Sequence, residues 1–216
     1  MRTRVKICCI ASVQEARRAV AAGADALGLV SKMPGPGTIA DETAAEVAAG
    51  VPPPVAPWLL TLRGEPEDIA AHVEATGVQT VQLVRHVEPG VHEALRRLSP
   101  RLRIVQVVHV EDETAIETAR AYAASADALL LDSGKPSAAE PMYGGTGATH
   151  DWAISRRIVE AVDRPVFLAG GLRPSNVAQA IRLVRPFGVD LCNGVRIEGR
   201  LDPTKLADFM AAVRAA

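Results

Sequence analysis

Two reactive side chains draw attention because each stands in an apolar segment. Asp132 closes the run Ala128-Leu-Leu-Leu-Asp132, and Cys8 lies inside Val5-Lys-Ile-Cys-Cys-Ile10. A carboxylate ending a fully apolar strand is costly unless it is solvated or used. Partial burial raises its pKa, which suits a general acid; the plainer alternative is a cap for a helix or loop. Composition alone points the other way for Cys8, since a buried cysteine is more often a small apolar residue than a nucleophile or base. The two-residue period of a strand sends one of Cys8 and Cys9 to each face.

Glycines suggest a second chemistry. Tyr143-Gly-Gly-Thr-Gly147, Ala169-Gly-Gly-Leu172 and Cys192-Asn-Gly-Val195 each follow an apolar run. Glycine lets backbone N–H groups approach an anion closely, so Gly145, Thr146, Gly147, Gly170, Gly171, Asn193 and Gly194 are candidates to hold a phosphate. Each pair alone is also ordinary turn punctuation. His72, His92 and His150 are expected to be solvated, while His109 faces a site or forms a polar rim. No His/Cys/Asp cluster has metal-ligand spacing. Met33-Pro-Gly-Pro-Gly37 contains Gly-x-Gly, but its prolines remove the N–H groups a dinucleotide loop needs.

Positioning these groups requires a framework, and the pattern supplies one. Strands are expected at Val5–Ile10, Ala26–Val30, Val55–Leu62, Thr80–Val84, Ile104–Val108, Ala128–Asp132, Pro165–Ala169 and Val189–Cys192. Helical spacing fills the intervals at Val13–Gly23, Pro66–Thr76, Gly90–Leu98, Asp112–Ala124, Asp151–Val162, Pro174–Val184 and Pro203–Arg214, with a weaker helix at Glu42–Ala49. Strands alternating with helices imply right-handed crossovers and a parallel sheet. Eight units favour a single-domain (β/α)8 TIM barrel over residues 1–216, with an open doubly wound sheet as the alternative if an element is misassigned. A barrel places function at the C-terminal strand ends, where Cys8, Lys32, Arg63, Arg85, His109 and Asp132 all fall.

Composition agrees with that class. The chain has 216 residues, 48% apolar, and only 3% aromatic, so Ala and Val must carry the core. Its 24 basic and 25 acidic residues leave a net charge of −1, which gives no sign of a nucleic-acid or membrane-surface partner. No apolar run is long enough to span a membrane, and the start is not signal-like, so a cytoplasmic location is expected. Three cysteines cannot form a disulfide framework, and a bond between the adjacent Cys8 and Cys9 is strained.

At this level the chain resembles the phosphoribosylanthranilate isomerase family. The resemblance rests on Val5-Lys-Ile-Cys8 with Ile10, Ala22-Gly-Ala-Asp-Ala-Leu-Gly28, Val81-Gln-Leu83, Leu130-Leu-Asp132, Gly144-Gly-Thr-Gly-x-Thr-x-Asp-Trp152, Ala169-Gly-Gly-Leu172 with Asn176, and Val184-Arg-Pro-x-Gly-Val-Asp190. It implies an Amadori rearrangement of an N-(5-phosphoribosyl) amine to a 1-amino-1-deoxyribulose 5-phosphate. It implies Asp132 as the general acid that opens the furanose ring and Cys8 as the general base at C2. No cofactor is needed, because the imine serves as the electron sink. The implied partner is a small phosphorylated sugar-amine, and the protein is expected as a monomer or homodimer.

Departures from the family pattern cluster near the substrate. Cys9 replaces the glycine after the catalytic cysteine, and Cys192 and Asn193 replace paired serines. Ser31-Lys-Met-Pro-Gly-Pro-Gly-Thr38 lacks the family's carboxylate-binding arginine, Gln-Leu-His-Gly reads Gln82-Leu-Val-Arg85, and Ala148 stands for a lysine. Lys6, Lys32, Arg63, Arg85 and His109 are the candidates to contact substrate. The amine is left open, anthranilate or a related one. Two other readings fit the residues: another sugar-phosphate barrel enzyme, such as an epimerase or synthase, and a non-catalytic protein that keeps the phosphate loops.

Overall fold

The alternating pattern folds as eight parallel strands closed on themselves. In a computed structural model that describes residues 2–33, 37–88, 90–138, 142–143 and 147–216, the barrel strands are β1 (Arg4–Ile7), β2 (Ala26–Ser31), β3 (Ala56–Thr61), β4 (Thr80–Leu83), β5 (Arg103–His109), β6 (Ala128–Asp132), β7 (Val166–Leu168) and β8 (Gly188–Leu191). Each pairs in parallel with its neighbour. The seam closes where β1 meets both β2, at Lys6↔Ala26, and β8, at Ile7↔Leu191. This is the (β/α)8 barrel expected from the sequence, not the open sheet.

The helices wrap the outside: α1 (Val13–Ala22), α2 (Asp41–Gly50), α3 (Pro66–Thr76), α4 (Val91–Leu98), α5 (Thr114–Ala123), α6 (Trp152–Ala161), α7 (Val177–Val184) and α8 (Pro203–Arg214). Local signals set their ends. Ser12 accepts from the Glu15 N–H at the start of α1, and Gly23 ends it at φ 101. Proline opens α3 and α8. Helix α7 begins three residues after the expected start at Pro174, because residues 174–176 form a turn in which Asn176 Oδ1 accepts from the Arg173 N–H. Among the described residues no helix is long and apolar enough to cross a membrane.

Strand alternation divides the core into two. Val5, Ile7, Leu27, Leu29, Leu59, Val81 and Leu83 point outward to the helices. Ala26, Trp58, Val105, Val107, Leu130 and Phe167 fill the lumen, where the Trp58 and Phe167 rings meet edge-on at 4.9 Å. A third group, Cys8, Val30, Leu60 and Val84, caps the lumen at the strand C-terminal ends. The lumen is therefore plugged from below and open above.

Candidate active site

The open end holds a cavity of about 490 Å³. Cys8 enters it from β1 and Asp132 from β6, three strands apart around the barrel. The strand β1 alternation puts Lys6 and Cys8 in the lumen. Gly28 on β2 leaves room for both: a Cβ there would lie 2.6 Å from Cys8 Sγ and 3.1 Å from Lys6 Nζ. Burial pushes the Asp132 carboxyl up; the Ser133 N–H, donated at 2.8 Å to its Oδ1, and the nearby His109 and Lys6 oppose this without reversing it. A carboxyl so placed holds its proton at higher pH than an exposed aspartate.

Lys6 lies beneath the cavity rather than in its wall. It is fully buried, donates to Asp190 Oδ1 at 2.9 Å and sits 5.4 Å over the Trp58 ring. Burial works against its charge, but the facing Asp190 carboxylate and then Cys8 outweigh that and raise its pKa. Asp190 itself is pushed up by burial despite Lys6. The pair extends from the cavity floor into the lumen.

A second buried ion pair holds the loop after β1. Arg196 begins a two-strand hairpin, Arg196–Ile197 with Arg200–Leu201, and donates at 3.1 Å to Glu15 Oε2. The same guanidinium donates to the carbonyl oxygens of Cys8, at 3.2 Å, and Cys9. Glu15 in turn accepts from the N–H groups of Ala11 and Leu201. Cys9 does not point to the helices, as strict alternation required. Its φ of 61° is left-handed and turns its side chain back to the cavity mouth, beside Cys192.

Glycine loops line the opposite wall. Gly170 and Gly171 have φ of 81° and 60°. A Cβ on Gly194 would lie 2.2 Å from the Leu172 carbonyl oxygen, so the loops after β7 and β8 pack backbone to backbone. Gly147, Gly170, Gly171, Asn193 and Gly194 all line the cavity, with Arg173 beside them. Gly145 and Thr146 fall outside the described residues.

The N-(5'-phosphoribosyl)anthranilate isomerase family model matches this chain over residues 5–212. The chain belongs to this family. It is 38% identical over 210 residues to N-(5'-phosphoribosyl)anthranilate isomerase 2 of Methanosarcina mazei, covering 96% of this chain and 92% of that protein. The fold superposes with a TM-score of 0.82 on the Thermotoga maritima phosphoribosyl anthranilate isomerase, at 32% identity, covering 99% of this chain and 100% of that one. It superposes with a TM-score of 0.80, at 30% identity over 99% of this chain and 100% of the other, on a family structure in complex with reduced 1-(o-carboxyphenylamino)-1-deoxyribulose 5-phosphate.

Several residues singled out in the sequence lie away from the isomerase cavity. Lys32 pairs with the Asp41 carboxylate, and neither Arg63 nor Arg85 lines the wall. His109 donates its Nε2–H to the Val84 carbonyl at 3.0 Å, and its ring packs against Tyr143 from behind the wall. The expectation of solvated histidines is corrected for all three. His72 and His92 are buried, bound to Asp41 Oδ1 at 2.8 Å and to Ser125 Oγ and Gln106 Oε1. His150 is half-buried, with Nε2 2.6 Å from Ser155 Oγ, and desolvation lowers its pKa to about 4.

Sequence reading missed Gln82, Ser133, Tyr143, Asp190 and Arg173 as wall residues. Gln82 has a usable signal, because it stands where β4 turns a side chain into the lumen and its Oε1 is buried without a partner. Arg173 has one too: it immediately follows Gly-Gly-Leu, where a cation can reach the same anion.

Proposed function

We propose that this protein catalyses the Amadori rearrangement of N-(5-phosphoribosyl)anthranilate to the 1-(o-carboxyphenylamino)-1-deoxyribulose 5-phosphate. The observation that carries the reading is the placement of Cys8 and Asp132 on opposite walls of one cavity that ends in glycine loops. Asp132, its pKa raised by burial, serves as the acid that gives a proton to the furanose ring oxygen. The C1–O bond breaks, and the nitrogen lone pair forms the C1=N double bond of a protonated Schiff base. Cys8 takes the proton from C2. The C–H electrons become a C1=C2 bond while the C1=N electrons return to nitrogen, and the resulting enol tautomerises to the ketone.

The two ends of the substrate find different surroundings. Gly170, Gly171, Asn193 and Gly194 offer backbone N–H groups to the 5-phosphate, and the Arg173 guanidinium supplies the positive charge that Ala148 does not. Val30, Leu60, Leu62, Val84 and Met33 form an apolar wall of the right character for an aryl ring. The shortage of aromatic residues therefore does not leave that ring without a surface. Lys6 acts from below, a fixed positive charge facing Cys8 and Asp190 rather than the substrate.

Purified protein should convert N-(5-phosphoribosyl)anthranilate to the ketose, followed by chromatography, and its gene should restore growth of a tryptophan auxotroph lacking the isomerase. Binding of the substrate without conversion would overturn the catalytic reading in favour of a phosphate-ligand-binding protein.

A further inference from the structure

Three cysteines converge at the cavity mouth, and the proposed reaction uses only one. Cys8 and Cys192 continue the paired strands β1 and β8, whose last register is Ile7↔Leu191 and whose next hydrogen bond runs from the Cys8 N–H to the Leu191 carbonyl at 2.8 Å. Adjacent parallel strands run about 4.8 Å apart, which sets Cys192 beside Cys8, the residue before Cys9. The left-handed turn at Cys9 returns its side chain to this seam, where Cys9 and Cys192 both pack against the Cys8, Val30, Leu60 and Val84 group and line the cavity. Both side chains are half-buried, both reach the cavity, and neither is bridged.

The two thiols are not equivalent. The neighbouring Cys9 thiol, and then the Arg196 guanidinium, hold Cys192 below the ordinary thiol range against the effect of burial. Cys9 is pushed up by its neighbours Cys192 and Cys8 and by burial. An acidified thiol beside a cation, with a second thiol in contact, is the arrangement in which the first sulfur attacks and the second resolves.

We propose that Cys192 and Cys9 form an oxidisable thiol pair that takes hydroperoxides, and that their disulfide switches off the site. The proposal rests on the isomerase reading for its effect on activity, but not for its chemistry. The Cys192 thiolate attacks the peroxide and cleaves the O–O bond, giving the sulfenic acid and a hydroxide that takes back the proton the thiol had released and leaves as water. The Cys9 sulfur then displaces water from that sulfenic acid, so two thiols and one hydrogen peroxide become one disulfide and two waters. The bridge would bind the residue after the base Cys8 to the residue before Asn193 in the phosphate loop. It would also disturb the loop after β2, since a Cβ on Gly37 would already lie 2.7 Å from Cys9 Cβ.

The test exposes the reduced full-length protein to hydrogen peroxide, alkylates the remaining thiols and reads intact mass, peptide linkage and turnover. The expected result is a loss of two hydrogens, a Cys9–Cys192 peptide, an alkylated Cys8, and at least about a tenfold fall in turnover that dithiothreitol restores. Cys9→Ser should leave a Cys192 sulfenic acid that a cyclic dione traps, and Cys192→Ser should give neither bridge nor trapped product. Dominant oxidation of Cys8, a bridge through Cys8, or a bridge that leaves turnover unchanged overturns the proposal. Reduced protein that never isomerises the substrate would sink the isomerase reading alone, because mass and linkage still decide the thiol chemistry.

Discussion

Gly28 and Cys8 face each other across the β1–β2 seam so closely that a Cβ on Gly28 would lie 2.6 Å from Cys8 Sγ. The glycine therefore fixes where the sulfur stands. Gly28→Ala should keep the barrel folded but displace Sγ, lowering kcat by about 10–100-fold with a smaller change in KM. Steady-state kinetics alongside a circular dichroism spectrum would check this. An unchanged kcat would mean that the sulfur position is not critical.

Removing the acid or the base should be far more damaging. Asp132→Asn and Cys8→Ala are each expected to lower kcat by roughly 10²–10⁴-fold, the usual contribution of a positioned proton donor or acceptor. Isothermal titration with a ketose-phosphate product should still detect binding to both variants. Equal loss of binding and turnover would point to a collapsed cavity rather than lost proton transfer.

At the phosphate end, Arg173→Ala should raise KM by about tenfold while leaving kcat within a few-fold, because its charge would act on bound and reacting substrate alike. Inhibition by inorganic phosphate should weaken in parallel. A fall in kcat alone would place Arg173 at the reacting atoms instead.

The Glu15–Arg196 pair predicts a stability effect with a distinctive pattern. Side-chain exposures of 11% and 5% mean that Arg196→Met leaves a buried, unpaired carboxylate, at a cost of about 3–5 kcal/mol. Adding Glu15→Gln should recover part of that loss in urea denaturation. Turnover should remain low in the double variant, since the Cys8 and Cys9 carbonyls still lack their donor.

Acid should destabilise the fold before its carboxylates titrate. The half-buried His150 has its pKa lowered to about 4 by desolvation, so between the ordinary histidine value and that point the unfolded chain takes up a proton that the folded one refuses. Stability thus falls as pH drops from about 6.5 to about 4, by up to about 3 kcal/mol from this residue. The buried His72 and His92, also lowered by desolvation, act in the same direction. Asp41, held down to about 2 by Lys32, Ser31 and His72 against burial, keeps its contribution until pH falls below its ordinary range. Urea midpoints measured across pH 4–7 should show the slope, and His150→Gln should flatten it.

Most of the fold could be read from local signals, because strand length, helical spacing, Ser12, Gly23 and the helix-opening prolines all act on near neighbours. The same locality placed Cys8, Asp132 and the glycine loops. What could not be read depends on contacts between distant parts of the chain. Lys6 meets Asp190 184 residues away, and Glu15 meets Arg196 181 residues away. The turn at Cys9 follows from a backbone angle that no alternation rule contains, and the burial of His72 and His92 depends on which helices pack over them.

Both long-range ion pairs cross the single seam where the barrel closes. Cys8 precedes the arginine that braces its loop by 188 residues, so during synthesis it emerges long before Arg196 does. An amino-terminal half-barrel fragment would thus carry Cys8 without the charges that hold its surroundings. With Cys8 as the proposed base, competence would be acquired only when the eighth strand docks, so incompletely made chains would stay silent even where most of their helices have formed.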